Sequence, residues 1–406
     1  MGRDAERRQV EHLGTAGVRA QLQRLLDRHG LSLDRFHLHD LQHRPGAGAT
    51  GVFEVHATAP RGPEQELFIG LTAESLAEES VVPVGRAVGA DWGAWFHPHD
   101  PRLPGLALAA DPDSVRSLWS GGDRLTSLRT VSYRPLRRAV LRATFAAVVQ
   151  PGGPTHSRAV YLKVLRPGMA LPLHRRHVVL AAAGVPVAPV LGPPVAEVLA
   201  LGEGPGTSLA AALMTDGASA LEPVALTEAL DRMPAEIISM PRRHAWADRT
   251  AAYGRAAAVA LPDQEQRIRA LVRELERRLE STDRGPVVPA HGDFYEANLL
   301  VDGGQVSCVL DVDGAGPGHR VDDLACFLGH LAVLPAVDRR YTHTGRALRR
   351  FHRHFAQTVD PGALACRSAA VALSLVAGAR DSGRGDWRHS ARARLEAAQS
   401  LLELPH

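Results

Sequence analysis

The sequence predicts an α+β protein in which a small antiparallel sheet precedes a larger, mostly helical part. Between residues 126 and 206, short runs rich in Val, Leu and Tyr alternate with turn residues, which is typical of antiparallel strands. From residue 207 onward, apolar residues recur mainly at helical spacing. Residues 1–125 mix helical and strand-like patterns, which predicts an extra N-terminal α/β region.

The N-terminal region is predicted to begin with a helix over residues 4–29, ended by Gly30. Two strands follow at 51–60 and 65–73, separated by the turn-rich RGPE. Segment 96–115 is rich in proline, which predicts an extended connection. A chain of 406 residues is too long for one ordinary core. We therefore expect three parts, at residues 1–125, 126–204 and 205–406.

The second part is predicted to be a meander of strands followed by a helix and one more strand. The predicted strands cover residues 128–135, 137–149, 157–165 and 195–206, and the helix covers 171–184. The third strand carries Lys163, the only lysine among 47 basic residues. Lysine carries a compact ammonium and arginine a broad planar guanidinium, so the lone lysine is either a chance survivor or marks a position that arginine cannot fill.

The third part is predicted to be a helical bundle interrupted by one hairpin. Residues 302–304, with the sequence DGG, lie between two short apolar strands, which is a hairpin signal. Polar residues crowd both ends of this hairpin, so we expect the chemistry there. The predicted helices cover residues 263–280, 321–335, 338–358, 361–380 and 389–403.

Composition restricts the possible partners and the compartment. The net charge is only +3, and acidic residues interleave with the arginines, so no surface for nucleic acid or for a membrane is expected. Arginine is expected to interrupt every apolar run before it reaches membrane-spanning length. Three unpaired cysteines and a charged, signal-free N-terminus predict a cytoplasmic protein. The sequence leaves the oligomeric state open.

Three polar residues around the hairpin suit phosphoryl transfer from a magnesium nucleotide. Asp293 precedes Asn298 by five residues in HGDFYEANLL, and the next strand leads to Asp311 in VLDVDG. A hairpin can bring Asn298 and Asp311 to one Mg²⁺, which prefers carboxylate and amide oxygens. Asp293, on the preceding loop, would then accept the proton of an attacking hydroxyl. Asp313 is either a further metal ligand or a polar cap of the strand, and His291 is expected to be a hydrogen-bonded strut beneath the loop.

These motifs resemble those of the aminoglycoside phosphotransferase and choline kinase superfamily, relatives of the protein kinases. The matching segments are HGDFYEANLLV and VLDVDGAGPGHRVDDLACF. The resemblance implies a protein-kinase-like two-lobed fold, in which residues 126–204 bind nucleotide and residues 205–406 hold the catalytic and acceptor sites. Segments FHPHDPRLPGL and SYRPLRRAVLRATF are also loosely similar to maltokinase-like actinobacterial phosphotransferases.

The resemblance also implies roles for single residues. Asp293 would be the catalytic base, Asn298 and Asp311 would bind Mg²⁺, and Asp323 would brace the catalytic loop. Lys163 would contact the phosphates of ATP or GTP. The remaining nucleotide contacts are predicted from the purine-binding strand, at Val198, Leu199 and Leu201, and from Arg138.

Two departures from the family pattern leave an alternative open. Residues 164–196 contain no Asp or Glu to pair with Lys163, and YRPLRRA stands where a glycine-rich phosphate loop is usual. In that segment Arg134, Arg137 and Arg138 could contact phosphate instead. A small-molecule kinase is the favoured function, and a pseudokinase that binds nucleotide or a partner is the alternative.

The acceptor is predicted from charge alone. Between residues 338 and 406, twelve arginines outnumber six acids. This balance favours a neutral sugar or an anionic metabolite, and it disfavours the alternative acceptor, a polycationic aminoglycoside.

Overall fold

The computed structural model describes residues 3–44, 48–77, 81–147, 157–382 and 386–404. The chain forms two compact units, one of residues 1–174 with 190–203 and the other of residues 175–189 with 204–406. Both units combine helices with antiparallel sheets, so the predicted α+β class is confirmed.

The first unit begins with two helices, α1 (Arg3–Leu13) and α2 (Arg19–Asp27). The prediction of one helix over residues 4–29 is wrong. Thr15 accepts a hydrogen bond from the backbone N–H of Gly17 through its side chain and starts a short 3₁₀ turn, Ala16–Val18, between the helices. A hydroxyl bonded to the backbone in this way competes with α-helical hydrogen bonding.

Five antiparallel strands follow, in the order β1-β2-β3-β5-β4. Their bounds are β1 (Ser32–Arg44), β2 (Gly48–Thr58), β3 (Glu64–Thr72), β4 (Val82–Ala87) and β5 (Ala90–Phe96). The sequence predicted only β2 and β3. Helices α1 and α2 contribute to the core on this sheet, in which Leu22, Phe53 and Trp92 are buried.

A second sheet of the first unit has the order β6-β7-β8-β9, the predicted antiparallel meander. Its strands are β6 (Arg124–Arg134), β7 (Arg138–Ala146), β8 (Ser157–Leu165) and β9 (Val198–Gly202). The proline-rich segment before it contains two short helices, α3 (Leu106–Ala110) and α4 (Pro112–Trp119), where only an extended connection was predicted. Asp111 caps α4 by accepting from Ser114 N–H, and Pro112 takes its first turn, where proline is tolerated. Helix α5 (Ala170–Ala182) follows β8.

The second unit contains most of α5 and eight further α-helices among its described residues, and the predicted helices of this part are present with shifted ends. They are α6 (Leu209–Asp216), α7 (Pro223–Asp231), α8 (Thr250–Ala260), α9 (Glu265–Ser281), α10 (Arg320–Val337), α11 (Thr344–Phe355), α12 (Pro361–Ser374) and α13 (Trp387–Leu401).

Helix α12 lies in the core of this unit. Residues 361–380 are long and apolar enough to cross a membrane by length and composition, contrary to the sequence expectation, because Arg367 is the only charge before Arg380. However, 72% of that stretch is buried inside the protein. Its apolar character therefore matches the packing of α12 against α10 and α13.

Two small sheets stand before α10. Strands β10 (Thr207–Ser208), β12 (Leu299–Asp302) and β13 (Gln305–Val309) form one of them, and β11 (Val287–Ala290) pairs with β14 (Gly316–His319) in the other. The β12–β13 hairpin is the predicted one, with Gly303 and Gly304 at its turn. Both glycines have positive φ, as a tight two-residue hairpin turn requires.

Candidate active site

Four of the five predicted nucleotide-binding residues lie on one face of the β6–β9 sheet. Lys163 pairs with Val140 of β7 and with Leu199 of β9, and it is only 7% exposed. Arg138 lies two residues from Val140 on β7, and Leu201 two residues from Leu199 on β9, so both share the face of Lys163.

The fifth residue, Val198, points to the opposite face, which packs on the core of this sheet. Its backbone N–H donates to Val195 C=O at 2.8 Å, and its C=O accepts from Val195 N–H at 3.0 Å. The main chain of β9 is thus already hydrogen-bonded at Val198.

A buried aspartate, Asp100, fixes the turn between β6 and β7. This turn occupies the position where the family usually has a glycine-rich phosphate loop. Asp100 is 3% exposed, and its Oδ2 accepts from Tyr133 O–H and from Leu136 N–H, both at 2.8 Å. Its Oδ1 accepts from Arg102 N–H at 2.9 Å. Burial raises the pKa of Asp100, while the hydrogen bonds act in the opposite direction. The turn before Arg138 is therefore fixed by side-chain hydrogen bonds.

Glu197, the first acid after the acid-free stretch, binds the start of helix α5. Its carboxylate accepts from Gly168 N–H at 2.9 Å and from Ala170 N–H at 3.0 Å. A carboxylate there satisfies backbone donors and complements the helix dipole. Glu197 has a φ of +63° to do so, an uncommon backbone conformation for a residue other than glycine.

In the second unit, the loop that carries Asp293 follows β11 and is fixed by two buried side chains. Asp323 of α10 is 1% exposed, and its two oxygens accept from the N–H groups of His291 and Gly292, both at 2.8 Å. His291 accepts from Asp293 N–H through Nδ1 at 3.2 Å, so its Nε2–H donates to Leu310 C=O at 2.9 Å. The predictions of a brace at Asp323 and a strut at His291 are confirmed.

The hairpin brings Asn298 next to Asp311, as the sequence predicted. Asn298 C=O accepts from Leu310 N–H at 2.8 Å, so Asp311 follows directly after the residue bonded to Asn298. The Asn298 amide donates through Nδ2 to Asp293 C=O at 3.0 Å, which leaves Oδ1 as its acceptor atom. An amide oxygen and a carboxylate at one end of a hairpin are hard oxygen donors, so this set fits Mg²⁺.

Asp313, two residues further along, lies near a buried arginine. The Asp313 charge favours the protonated guanidinium of Arg176, although burial lowers the pKa of Arg176. Arg176 is held by a hydrogen bond from Nε to Ala315 C=O at 2.9 Å. The structure thus brings Asp293, Asn298, Asp311 and Asp313 together around the β12–β13 hairpin.

Two side chains of the segment before α8 contact Asp293. Arg243 forms an ion pair from its guanidinium to Asp293 Oδ2 at 3.0 Å, and Trp246 Nε1–H donates to Asp293 Oδ1 at 3.3 Å. The Arg243 guanidinium also lies over the Trp246 ring, 5.6 Å from its centroid. Both carboxylate oxygens of Asp293 therefore have a partner.

Aromatic rings surround this ion pair. Tyr295 stacks on His330 with their centroids 4.1 Å apart, and Trp246 contacts both His330 and Tyr253. Burial lowers the pKa of His330 to about 4, so its ring is neutral at pH 7, and its Nε2 is buried without a hydrogen-bond partner among the described residues. Burial, with the nearby Asp293 charge, raises the pKa of Tyr295 to about 12.

Between Asp293 and Asn298 the loop buries a third acid, Glu296. It begins a 3₁₀ turn, Glu296–Asn298, and is 4% exposed. Its Oε2 is buried and has no hydrogen-bond partner among the described residues. Burial raises the pKa of Glu296 to about 7.

The chain matches the model of the phosphotransferase enzyme family (APH) over residues 153–355, half of its length. The chain belongs to this family. The hairpin and its polar residues lie inside the matched range. A search of curated proteins found no match.

Solved structures similar to this chain include two aminoglycoside phosphotransferases and a choline/ethanolamine kinase family protein. One is an aminoglycoside-3'-phosphotransferase of type VIII, with 21% identity over 64% of this chain and 98% of that chain and a TM-score of 0.40. Another is a choline/ethanolamine kinase family protein from Mesorhizobium loti, with 18% identity over 73% of this chain and 93% of that chain and a TM-score of 0.48. A third is a thermostable mutant of aminoglycoside phosphotransferase APH(4)-Ia in a ternary complex with AMP-PNP and hygromycin B, with 17% identity over 71% of this chain and 96% of that chain and a TM-score of 0.46.

Family membership confirms the superfamily that the motifs predicted and, with it, the protein-kinase-like α+β fold. The chain is thus a member of the phosphotransferase enzyme family. The nucleotide and metal roles assigned to single residues stay predictions, as does the three-part division of the chain.

Sequence reasoning missed Arg243, Trp246 and Glu296. Arg243 lies within PRRHAWADR, in a chain so rich in arginine that no single one stands out. Trp246 is one of only five tryptophans, and this scarcity beside two arginines was the available signal. Glu296 lies inside the HGDFYEANLL motif, but nothing in the sequence pattern indicated that its side chain is buried.

Proposed function

We propose that this protein transfers the γ-phosphoryl group of ATP or GTP to a hydroxyl of a sugar-like or other small metabolite, with Mg²⁺ as cofactor. The observation that carries the proposal is the arrangement of Asp293, Asn298 and Asp311 around one hairpin. A carboxylate on a fixed loop beside two oxygen ligands is what transfer from a magnesium nucleotide requires.

Asp293 is the proposed base. It accepts the proton of the acceptor hydroxyl while the hydroxyl oxygen bonds to the γ-phosphorus and the bond from that phosphorus to the bridging oxygen breaks. The nucleoside diphosphate then leaves. The hydrogen bonds from the loop to Asp323 support this role, because they fix the backbone that carries the base before the substrate binds.

Asn298 and Asp311 are the proposed ligands of Mg²⁺, and Asp313 is a candidate for a further one. The metal, when bound, neutralises charge on the nucleotide phosphates. The hydrogen bond from Leu310 N–H to Asn298 C=O supports this assignment, since it keeps Asn298 and Asp311 at the same end of the hairpin.

The nucleotide contacts are proposed for the β6–β9 sheet. Lys163 and Arg138 share a face there and would contact phosphate, while the β9 backbone at Val198, Leu199 and Leu201 would contact the purine.

The cytoplasm is the proposed location. Cys308, Cys326 and Cys366 are all buried free thiols, which suits a reducing compartment. We propose no nucleic-acid or membrane partner, in line with the charge pattern of the sequence.

The test is ADP formation from Mg-ATP over a panel of sugars, amino alcohols and aminoglycosides. We expect transfer to at least one hydroxyl compound, and Asp293→Asn should lower kcat by about 10²- to 10⁴-fold, the usual contribution of a general base. Asp302→Asn is the matched control, because Asp302 is an exposed aspartate at the tip of the same hairpin. Activity that survives Asp293→Asn would overturn the mechanism. Nucleotide binding with no transfer to any compound would favour the pseudokinase alternative.

A further inference from the structure

In the protein without substrate, both carboxylate oxygens of Asp293, the proposed base, already have a partner. Arg243 is paired with Asp293 Oδ2 at 3.0 Å and Trp246 is hydrogen-bonded to Oδ1 at 3.3 Å. The Asp293 side chain is only 14% exposed. An acceptor hydroxyl must reach one of these two oxygens to lose its proton, and each oxygen can still accept a second hydrogen bond, so the acceptor would lie beside Arg243 or Trp246.

Arg243 is the partner that an incoming anion can reach. Its side chain is 37% exposed, and Asp293 is its only ion-pair partner among the described residues. It packs over Gly292 and Gly314, where a Cβ on Gly314 would lie 2.8 Å from the Arg243 Cδ. The stem of Arg243 therefore lies against two positions without side chains, and its guanidinium lies over the Trp246 ring.

The surrounding charges favour an incoming anion. Arg242 and Arg284 have carboxylate partners of their own, Asp248 for both and Asp322 for Arg284. Arg249 differs, since its guanidinium lies over the Tyr253 ring at 5.7 Å and no described carboxylate pairs with it. Burial raises the pKa of Tyr253, and the charges of Arg249, Arg243 and Asp293 all act on its hydroxyl. The guanidinium groups of Arg243 and Arg249 thus both lie near the Tyr253 hydroxyl, together with the carboxylate of Asp293.

We propose that the acceptor carries an anionic group, a carboxylate or a phosphate, next to the hydroxyl that is phosphorylated. This proposal rests on the proposed function and names its substrate class. Arg243 binds the anionic group and leaves Asp293 Oδ2, which then accepts the hydroxyl proton. Arg249 adds a second positive charge, and Trp246 and Tyr253 provide ring faces for the carbon skeleton.

The same arrangement opposes a cationic acceptor. An ammonium group near Asp293 would replace Arg243 on the base and would meet the positive charges of Arg243 and Arg249. Charge therefore selects for anionic hydroxy compounds and against polyamines at this place.

The test compares acceptors that share a ring and differ in charge: glucose, glucuronate, glucose 6-phosphate and glucosamine. Two measurements are made on the full chain, kcat/KM from ADP release with Mg-ATP, and equilibrium binding from the fluorescence of Trp246, taken as the difference between wild type and Trp246→Phe. The binding measurement needs no turnover, so it can succeed or fail independently of the proposed function.

We expect an anionic acceptor to exceed glucose and glucosamine by at least about tenfold in either measurement. Arg243→Ala should lower the anionic-to-neutral ratio by about 10- to 100-fold, the equivalent of one hydrogen bond to a charged group. Arg243→Lys should retain part of the anionic-to-neutral ratio, because it keeps the positive charge but loses the planar guanidinium that can donate two parallel hydrogen bonds. Arg242→Ala, which removes the adjacent arginine with its own partner Asp248, is the matched control and should change the ratio less than about threefold.

The two anions separate the carboxylate from the phosphate as the recognised group. A preference for glucosamine or glucose, an equal loss for neutral and anionic compounds in Arg243→Ala, or the absence of binding by both anions would overturn the proposal. Anion binding that depends on Arg243 without any phosphoryl transfer would support this site and contradict the proposed function.

Discussion

Glu296 is a buried carboxyl group whose ionisation should oppose folding, and this gives a quantitative prediction. The side chain is 4% exposed, and its Oε2 has no described partner. Burial therefore raises its pKa from 4.5 to about 7. Between these two values the folded protein holds a proton that the unfolded chain has released. Stability must then fall as the pH rises from about 4.5 to about 7 and level off above it.

The size of the effect follows from the shift. A difference of about 2.5 pKa units, at 1.36 kcal/mol for each unit, corresponds to about 3 kcal/mol of lost stability at pH 8. Glu296→Gln keeps the shape and removes the charge. We expect it to leave the free energy of unfolding nearly unchanged at pH 5 and to raise it by up to about 3 kcal/mol at pH 8.

The assay is urea-induced unfolding of both proteins at pH 5, 6, 7 and 8. Comparing the variants at each pH cancels every other titrating group. Glu280→Gln, which changes an exposed glutamate of α9, is the control and should follow the wild-type profile. A difference between Glu296→Gln and wild type that is the same at every pH, or a variant less stable than wild type at pH 8, would refute the reasoning.

Three further substitutions test other contacts. Asp323→Ala leaves the buried N–H groups of His291 and Gly292 without acceptors. We expect it to lower the free energy of unfolding by about 3 to 6 kcal/mol, which is twice the value for one hydrogen bond to a charged group. Thermal or urea-induced unfolding would measure this loss. Gly292→Ala should cost about 1 to 3 kcal/mol in the same measurement, because Gly292 has a φ of +78° and its Cβ would lie 2.9 Å from the Gly314 carbonyl; a neutral result would contradict this strain. Lys163→Arg keeps the charge yet should raise the KM for ATP about tenfold or more, since a broad guanidinium replaces a buried, compact ammonium; an unchanged KM would count against the phosphate contact.

The parts of the fold that the sequence predicted well are those with a strong local signal. The meander β6–β9 has alternating apolar residues and turn residues between its strands, and the hairpin at 302–304 has two glycines that can adopt positive φ. The missed strands had weaker patterns. In β1, histidines and charged residues occupy many positions, and register shifts after Leu33 and Leu38 break the alternation of Leu33, Phe36, Leu38 and Leu41, all of which contribute to the core of the first sheet.

In the candidate site, too, the contacts between residues close in sequence were predicted and those that depend on tertiary packing were not. The motif spacing was enough to bring Asn298 and Asp311 together, because a hairpin fixes its own register. The contact from Arg243 could not be predicted, since it joins residues fifty positions apart through tertiary packing. Glu197 shows a similar limit: its position just past the acid-free stretch was visible, but only the folded backbone directs its carboxylate to the start of α5.

Residues 175–189 belong to the second unit, and their hydrogen bonds there affect how fragments of this protein should be designed. Val309 N–H donates to Pro186 C=O at 2.6 Å, and Val187 bridges Val309, so this segment covers the edge of β13 just before the metal-ligand candidates. A fragment that starts at residue 205 would lose this cover, together with the Arg176 bond to Ala315. Its β13 edge would expose unpaired backbone groups to other chains, so such a fragment should self-associate, and the helical part should be expressed with residues 175–189 still attached.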